Sequence, residues 1–308
     1  MRGESSYQQD AVYHIYQRTI DGGLIFYSVK DYVVFFTYIS FAASRTGMTI
    51  LGICFMPDHI HLVVRARCKE MVSAFVDLYA SGFVREYNKW YGREGPLFDP
   101  RFGRAVKVGD KKIRTALAYL YNNPVEKKLS PTADSYQWNF LRYAVTDHPF
   151  SERLLLEKAS FRLRRAIKAV KHYVCMSSPV KYIVLRDCVA GLDEEDVHML
   201  VDRIVTLCTP IDYQSLMKYY GSDYSRMVMA FNSNTGSEYD IAETFIPGDD
   251  RVYYKMSALL FRCLGESAVG HMYAFDDDER NRWAMTLARE TTASKRQIEK
   301  FLHIGSGV

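Results

Sequence analysis

Two histidines two residues apart are the feature of this sequence that most directly suggests chemistry. His59 and His61 begin an apolar run, in the segment Met56-Pro57-Asp58-His59-Ile60-His61-Leu62-Val63-Val64. Side chains at positions i and i+2 of a β-strand lie on the same face, so both imidazoles could bind one metal ion. A histidine pair on a strand is more often structural than metal-binding, so the interpretation depends on further ligands nearby.

A tyrosine and an amide spaced four residues apart could complete such a site. Tyr119 and Asn123 lie in a stretch that predicts a helix over residues 111–122, ended by Pro124. Positions i and i+4 share a helix face, and a residue before proline leaves the helix easily, so Asn123 can turn toward the site. The alternatives are a core aromatic for Tyr119 and a helix C-cap for Asn123.

Two imidazoles, a phenol and an amide together suit the cleavage of phosphodiesters. A divalent ion on the imidazoles and an oxygen ligand would polarise a phosphate and stabilise charge in the transition state. A phenol has an ordinary pKa of about 10, so Tyr119 needs a nearby cation or base to become a nucleophile. Basic residues that could hold the flanking DNA backbone follow the histidines: Arg101, Arg104, Lys107 and Lys111.

Charge, cysteine content and hydropathy restrict the class of protein. The net charge of the 308 residues is +4, and the excess lies in residues 1–150, with 19 Lys and Arg against 14 Asp and Glu. Six scattered cysteines without a CxxC pair argue against a zinc ribbon or a disulfide framework. No apolar run approaches the ~20 residues of a membrane span, and residues 1–6 are polar. We therefore expect a cytoplasmic protein with no membrane partner.

The order of predicted elements favours a ferredoxin-like α+β fold for residues 1–150. Alternating apolar residues predict a strand from residue 11, a turn at residues 21–23 and a second short strand ending at residue 27. Predicted helices over residues 29–46, 70–91 and 111–122 alternate with strands over residues 49–55, 60–65 and 102–108. The link between residues 55 and 60 is too short for a crossover. We expect an antiparallel sheet with helices on one face.

Residues 151–308 are predicted to form a second, mostly α-helical domain. Apolar periodicity predicts helices over residues 152–174, 193–208, 211–232, 252–265 and 276–304. The last segment resembles a helix-turn-helix in which Ser294 caps the second helix. Lys295, Arg296 and Gln297 would then lie at its start, where recognition helices contact bases. The alternative is an ordinary helical hairpin with a solvated basic face.

Residues 11–145 resemble the single-tyrosine HUH transposases, particularly the REP-associated tyrosine transposases. The opening Tyr13-His14-Ile15-Tyr16-Gln17-Arg18 and Ile25-Phe26-Tyr27 precede the His-hydrophobe-His motif of residues 56–64. Three further segments follow in the family's order: Gly95-Pro96-Leu97-Phe98-Asp99-Pro100-Arg101-Phe102, Tyr119-Leu120-Tyr121-Asn122-Asn123-Pro124-Val125 and Tyr136-Gln137-Trp138. Five such segments in order over about 135 residues make the resemblance specific.

The resemblance implies a domain that binds single-stranded or hairpin DNA. Tyr119 would attack a DNA phosphate and form a 5′-phosphotyrosine link, which frees a 3′-OH. Mg²⁺ or Mn²⁺ would bind His59 and His61. Asn123 stands where relatives carry a third, amide ligand that is often Gln, and Asp58 replaces the commoner Asn and should orient the turn.

The sequence departs from the family pattern directly after the tyrosine helix. Glu126-Lys127-Lys128 replaces the usual Arg-Ala-Gly, which affects a local DNA or packing contact and leaves the nucleophile unchanged. Tyr121 is a second phenol that should point to another face of the helix.

The leading interpretation is an active transposase. The alternatives are a domesticated DNA-binding protein that no longer cuts, and a phosphodiesterase that uses water. The sequence leaves open whether the chain acts as a monomer or a homodimer.

Overall fold

The first half of the chain forms a four-stranded antiparallel sheet. The structure is a computed structural model that describes residues 11–233 and 249–304, so the polar residues 1–6 lie outside the described residues. The strands are β1 (Ala11–Arg18), β2 (Thr49–Phe55), β3 (His59–Ala66) and β4 (Gly103–Lys107), in the spatial order β2-β3-β1-β4. All three pairings are antiparallel. This order, with the helices between the strands, is the predicted ferredoxin-like topology.

Helices cover both faces of this sheet. Helices α1 (Val29–Thr46) and α2 (Lys69–Tyr91) pack together on one face, where the Tyr79 hydroxyl donates to Gln17 of β1. The apolar residues of α1 recur at three- and four-residue steps and are buried, which explains why this segment is helical. Helix α3 (Asp110–Glu126) packs on the opposite face, against β2 and β3. The sheet therefore lies between two helical layers, and only α1 and α2 share one side.

Two predicted features in this half are wrong. The segment ending at Tyr27 is not a strand, because the N–H groups of Ile25 and Phe26 donate to the carbonyl of Pro57 instead of to a sheet. Helix α3 continues past Pro124 to Glu126, so Asn123 lies inside the helix rather than at its exit. Pro124 is tolerated because the helix ends within a turn, where the Lys127 N–H still donates to the Asn123 carbonyl.

The described part of residues 151–308 is helical, as predicted. The helices are α4 (Phe161–Cys175), α5 (Tyr182–Val189), α6 (Glu194–Cys208), α7 (Tyr213–Lys218), α8 (Tyr224–Ser233), α9 (Arg251–Leu264), α10 (Ala268–Ala274), α11 (Asp277–Glu290) and α12 (Lys295–Leu302). The single helix predicted over residues 211–232 is interrupted, because Gly221 and Ser222 both have positive φ angles of 73° and 58°. The helix predicted from residue 152 begins only at Phe161.

The C-terminal helices pack directly on the first half of the chain. The Tyr182 hydroxyl donates to the buried Asp31 of α1 at 2.7 Å, and the Tyr27 hydroxyl donates to the carbonyl of Phe301 at 2.9 Å. Near α7, Ile211 forms a parallel bridge with Ile50 that covers the outer edge of β2. The division into domains of residues 1–150 and 151–308 stays a prediction. In the described helices, none has the length and apolarity that crossing a bilayer requires.

Candidate active site

Strands β1 and β3 and helix α3 bring an aromatic and imidazole cluster together. The ring centroids of His59 and His61 lie 4.9 Å apart, which follows from their shared strand face. Tyr119 packs edge-on against His61 at 5.3 Å and against His14 at 5.9 Å. Tyr16 completes the cluster, 5.2 Å from His61. The phenol and the paired imidazoles therefore converge on one side of the sheet.

A chain of hydrogen bonds fixes the orientation of the buried His61 ring. The Asn123 side-chain nitrogen lies 3.0 Å from His61 Nε2, and His61 Nδ1 lies 3.1 Å from His14 Nε2. Since Nδ2 of Asn123 can only donate, His61 Nε2 accepts. When His61 is neutral, its proton is then on Nδ1, which donates to His14. The lone pair of His61 Nε2 thus points toward Asn123.

Burial keeps both of these histidines neutral. Desolvation lowers the pKa of His14 from 6.5 to about 3, and the positive charge of Lys107 adds to the effect. Desolvation likewise lowers the pKa of His61 well below its usual range, with smaller contributions from the neighbouring histidines. Neutral imidazole is the form that binds metal ions. His61 is fully buried and both of its ring nitrogens have partners.

A buried carboxylate holds the second histidine. His59 Nδ1 lies 2.6 Å from Asp58 Oδ1, and Lys300 of α12 forms an ion pair with Asp58 Oδ2. Burial alone would raise the pKa of the Asp58 carboxyl, but its contacts with the His59 ring and the Lys300 ammonium group hold that pKa well below its ordinary value. Because a carboxylate only accepts, Nδ1 of His59 carries a proton, and Nε2 is the atom that a neutral ring can offer to a ligand.

The turn before His59 is held in place from the β1–α1 connection. The Pro57 carbonyl accepts from the N–H groups of Ile25 at 2.8 Å and Phe26 at 3.1 Å, and the Met56 N–H donates to the His59 carbonyl. These backbone bonds fix where β3 begins. They give a physical role to the Ile25-Phe26-Tyr27 segment, which positions the histidine strand without joining the sheet.

The two candidate phenols lie in different environments. Tyr121 is fully buried, stacks on Phe231 with a centroid distance of 4.8 Å, and directs its hydroxyl toward the Leu51 carbonyl. Burial raises the pKa of Tyr121 well above its ordinary value. Tyr119 is partly exposed and contacts the imidazoles. Of the two tyrosines, Tyr119 is therefore the one that a substrate could reach.

The basic residues predicted to bind DNA divide between surfaces. In β4, Lys107 pairs across the sheet with Val12 and so shares the face of His14, whereas Arg104 pairs with Ile15 and faces α2. Arg101 is exposed before β4, and Lys111 is exposed at the start of α3. Lys111 also lines a cavity of about 210 Å³, with Arg114, Thr115, Ala118, Tyr220 and Ala230.

Helix α12 begins with the predicted Ser294 cap, but one of the three predicted DNA-binding side chains contacts another part of the chain. The Ser294 hydroxyl accepts from the Gln297 N–H at 3.3 Å in a capping box. The Gln297 side-chain amide donates to the Asp249 carbonyl at 3.0 Å, so this side chain has an intramolecular role. Lys295 and Arg296 are exposed. Base contact by these three residues stays a prediction.

The donor set fits a divalent cation held by two imidazoles and an amide oxygen. At a metal–nitrogen distance of about 2.1 Å, two imidazoles that share an ion have centroids at most about 6.5 Å apart. The observed 4.9 Å between His59 and His61 satisfies this limit. Asn123 meets His61 through its amide, so a cation there would have to replace that hydrogen bond. Within residues 11–233 and 249–304, no three His, Cys, Asp or Glu side chains are grouped as ligands.

Three residues that contribute to the site, His14, Tyr16 and Lys300, were not predicted from the sequence. His14 was recognised only as part of a motif, although its alternation with Tyr16 on β1 would have put both on one strand face. Lys300 carried no sequence signal, because its partner Asp58 lies 242 residues away. Only the folded chain reveals that contact.

A family model covers the part of the chain that holds the candidate active site. Residues 8–123 match a family model described as "Transposase IS200 like". Among solved structures, the chain is similar to one titled "Structure of the REP associates tyrosine transposase bound to a REP hairpin", with 11% identity and a TM-score of 0.38. That match covers 52% of this chain and 94% of the other. A search of curated proteins found no match.

Proposed function

We propose that the chain cleaves and transfers single-stranded or hairpin DNA through Tyr119, because residues 8–123 match a family model described as "Transposase IS200 like". The observation that carries the proposal is the convergence of Tyr119, His61 and His59 within about 5 Å between ring centroids. Such a cluster joins a nucleophile to the groups that would bind the phosphate's counter-cation.

The proposed step transfers a phosphoryl group to the phenol. The Tyr119 oxygen forms a bond to phosphorus as the bond from phosphorus to the 3′ oxygen breaks. The phenolic proton passes to solvent, and the departing 3′ oxygen takes a proton from water. The products are a 5′-phosphotyrosine and a free 3′-OH, and reversal with another 3′-OH would join strands.

This chain's own residues would orient the reacting groups. His59 and His61 would hold a Mg²⁺ or Mn²⁺ ion together with the amide oxygen of Asn123. The ion, when bound, would stabilise negative charge on the phosphate. Asp58 fixes the His59 ring, and His14 fixes the His61 ring. Lys107 shares this sheet face and would attract the DNA backbone.

A DNA-binding protein that does not cut is the second candidate. The observation in its favour is that His61 is fully buried and hydrogen-bonded at both ring nitrogens. If the bond from Asn123 were never exchanged for a cation, the same fold would hold DNA without activating a phosphate.

Covalent capture separates the candidates. The full chain is incubated with Mn²⁺ and a labelled library of hairpin oligonucleotides with randomised flanks, and adducts are resolved on denaturing gels. We expect an adduct that is lost in Tyr119→Phe and retained in Tyr121→Phe. Retained DNA binding without any adduct would favour the non-cutting candidate. Cleavage that survives Tyr119→Phe would indicate hydrolysis by water and reject the tyrosine nucleophile.

A further inference from the structure

Helix α12, at the far end of the described chain, reaches the candidate active site through one side chain. Lys300 forms an ion pair with Asp58, and Asp58 in turn holds His59 Nδ1 at 2.6 Å. Each oxygen of the carboxylate has a separate partner, with Oδ1 on the imidazole and Oδ2 on the ammonium group. Only 13% of the Asp58 side chain is exposed, so water does little to support this charge.

The position of Lys300 is set by the packing of its helix. Ile298, Phe301 and Leu302 of α12 are buried against the body of the protein. The Tyr27 hydroxyl donates to the Phe301 carbonyl, and Arg280 donates to the Leu302 carbonyl at 2.6 Å. Since these contacts do not involve Lys300, the helix stays docked without its ammonium group. The ion pair with Asp58 is therefore separable from the anchoring of α12.

The chemistry of the carboxylate explains why the ammonium group matters. A carboxylate that binds the Nδ1–H of a metal-binding histidine sets the tautomer and the direction of the ring. Such a carboxylate needs its own partner when it is buried, because an uncompensated charge in this position is unfavourable. Lys300 supplies that partner, and the geometry leaves Oδ1 for His59.

We propose that Lys300 is a positioning residue, which fixes the Asp58 carboxylate so that His59 keeps Nδ1 protonated and presents Nε2 to the site. This inference rests on the proposed function and extends it, because it makes the C-terminal helices part of the catalytic unit. The C-terminal region would then complete the metal site as well as any DNA-binding surface.

Substitution of Lys300 tests the inference with two readouts besides cleavage. Lys300→Met removes the charge and keeps an apolar stem, Lys300→Arg keeps the charge, and Lys295→Met is the matched control on the same helix. Lys295 is exposed and forms an ion pair with Glu299 at 3.7 Å. Mn²⁺ alone is titrated into each full-length protein and free Mn²⁺ is measured by electron paramagnetic resonance. Histidine-selective ¹⁵N NMR reports the protonated nitrogen of His59.

The expected result is specific to the charge at position 300. In Lys300→Met, Mn²⁺ binds about 10- to 100-fold more weakly, the typical cost of losing an outer-shell partner. The same variant loses the Nδ1–H signal of His59. Lys300→Arg recovers most of the affinity, and Lys295→Met matches the wild type in Mn²⁺ affinity and in the His59 signal.

Two outcomes would overturn the inference. Wild-type Mn²⁺ affinity and an unchanged His59 signal in Lys300→Met, with only a lower melting temperature, would mean that Lys300 merely anchors α12. An equal loss of affinity in Lys295→Met would assign the effect to general helix charge. If the wild-type chain binds no Mn²⁺, the metal role in the proposed function fails, and the NMR signal alone then decides the positioning role. Tyr119-dependent adduct formation is scored independently of both.

Discussion

Acidification should destabilise the fold through the buried imidazole of His14. Only 4% of this residue is exposed, and burial lowers its pKa from 6.5 to about 3. The folded state therefore keeps His14 neutral at pH values where the unfolded chain takes up a proton. The stability associated with this group is fully present above pH 6.5 and is lost as the pH falls toward 3.

The size of the effect follows from the difference between the two pKa values. Protonation of His14 in the unfolded chain lowers the free energy of unfolding by about 2 kcal/mol at pH 5. At pH 4 the decrease is about 3 kcal/mol. His14→Gln removes the titrating group, and its amide oxygen can still accept from His61 Nδ1. Between pH 7.5 and 5 the wild type should lose about 2 kcal/mol more free energy of unfolding than this variant.

Urea unfolding followed by circular dichroism at a series of pH values measures this difference. The control is His198→Gln, which makes the same substitution at an exposed histidine. Its curve should run parallel to that of the wild type. If His14→Gln also ran parallel to the wild type, His14 would not be held neutral in the fold. The hydrogen-bond chain from which we assign the His61 tautomer would then be wrong.

Two further substitutions test packing and DNA contact. Gly23→Ala would drive a methyl group into the His303 imidazole, so we expect the free energy of unfolding in urea to fall by about 1–3 kcal/mol. Gly103→Ala should cost less, because the nearest atom lies 3.6 Å from the added methyl group. Equal costs would refute the clash. Lys111→Gln should reduce the slope of log affinity against log salt by about 0.7 if Lys111 contacts a phosphate of single-stranded DNA, and an unchanged slope would remove it from the interface.

Local periodicity was enough to predict the elements that present the site. The helix over residues 29–46 and the strand over residues 49–55 were predicted with the observed bounds, because apolar spacing and the stop at Gly47 are local signals. The sharing of a strand face by His59 and His61 follows from the same geometry. The contact of Tyr119 with this pair does not follow from local geometry, because it depends on α3 packing on that face of the sheet.

What the sequence could not predict depends on contacts between distant segments. Residues 25–27 have strand-like composition, but their N–H groups bind the Pro57 carbonyl, and no local pattern encodes that partner. Pro124 normally ends a helix, yet here it lies close enough to the last turn for the helix to continue. The link from Lys300 to Asp58 spans 242 residues and appears only after the C-terminal helices dock.

Within the described residues, one edge of the sheet is covered and the other is not, and this difference affects self-association. The Ile211 bridge shields the β2 margin, whereas β4, at the other end, has no outer strand neighbour among residues 11–233 and 249–304. Intermolecular β-addition would therefore take place at β4, and two copies paired through β4 would close as a dimer rather than grow into a fibril. Arg104 and Lys107 stand along that short strand as gatekeepers, since stacking a second copy there would bring like charges together. Neutralising both residues should make the protein more prone to self-associate, mainly at low salt, where repulsion between the charges is least screened.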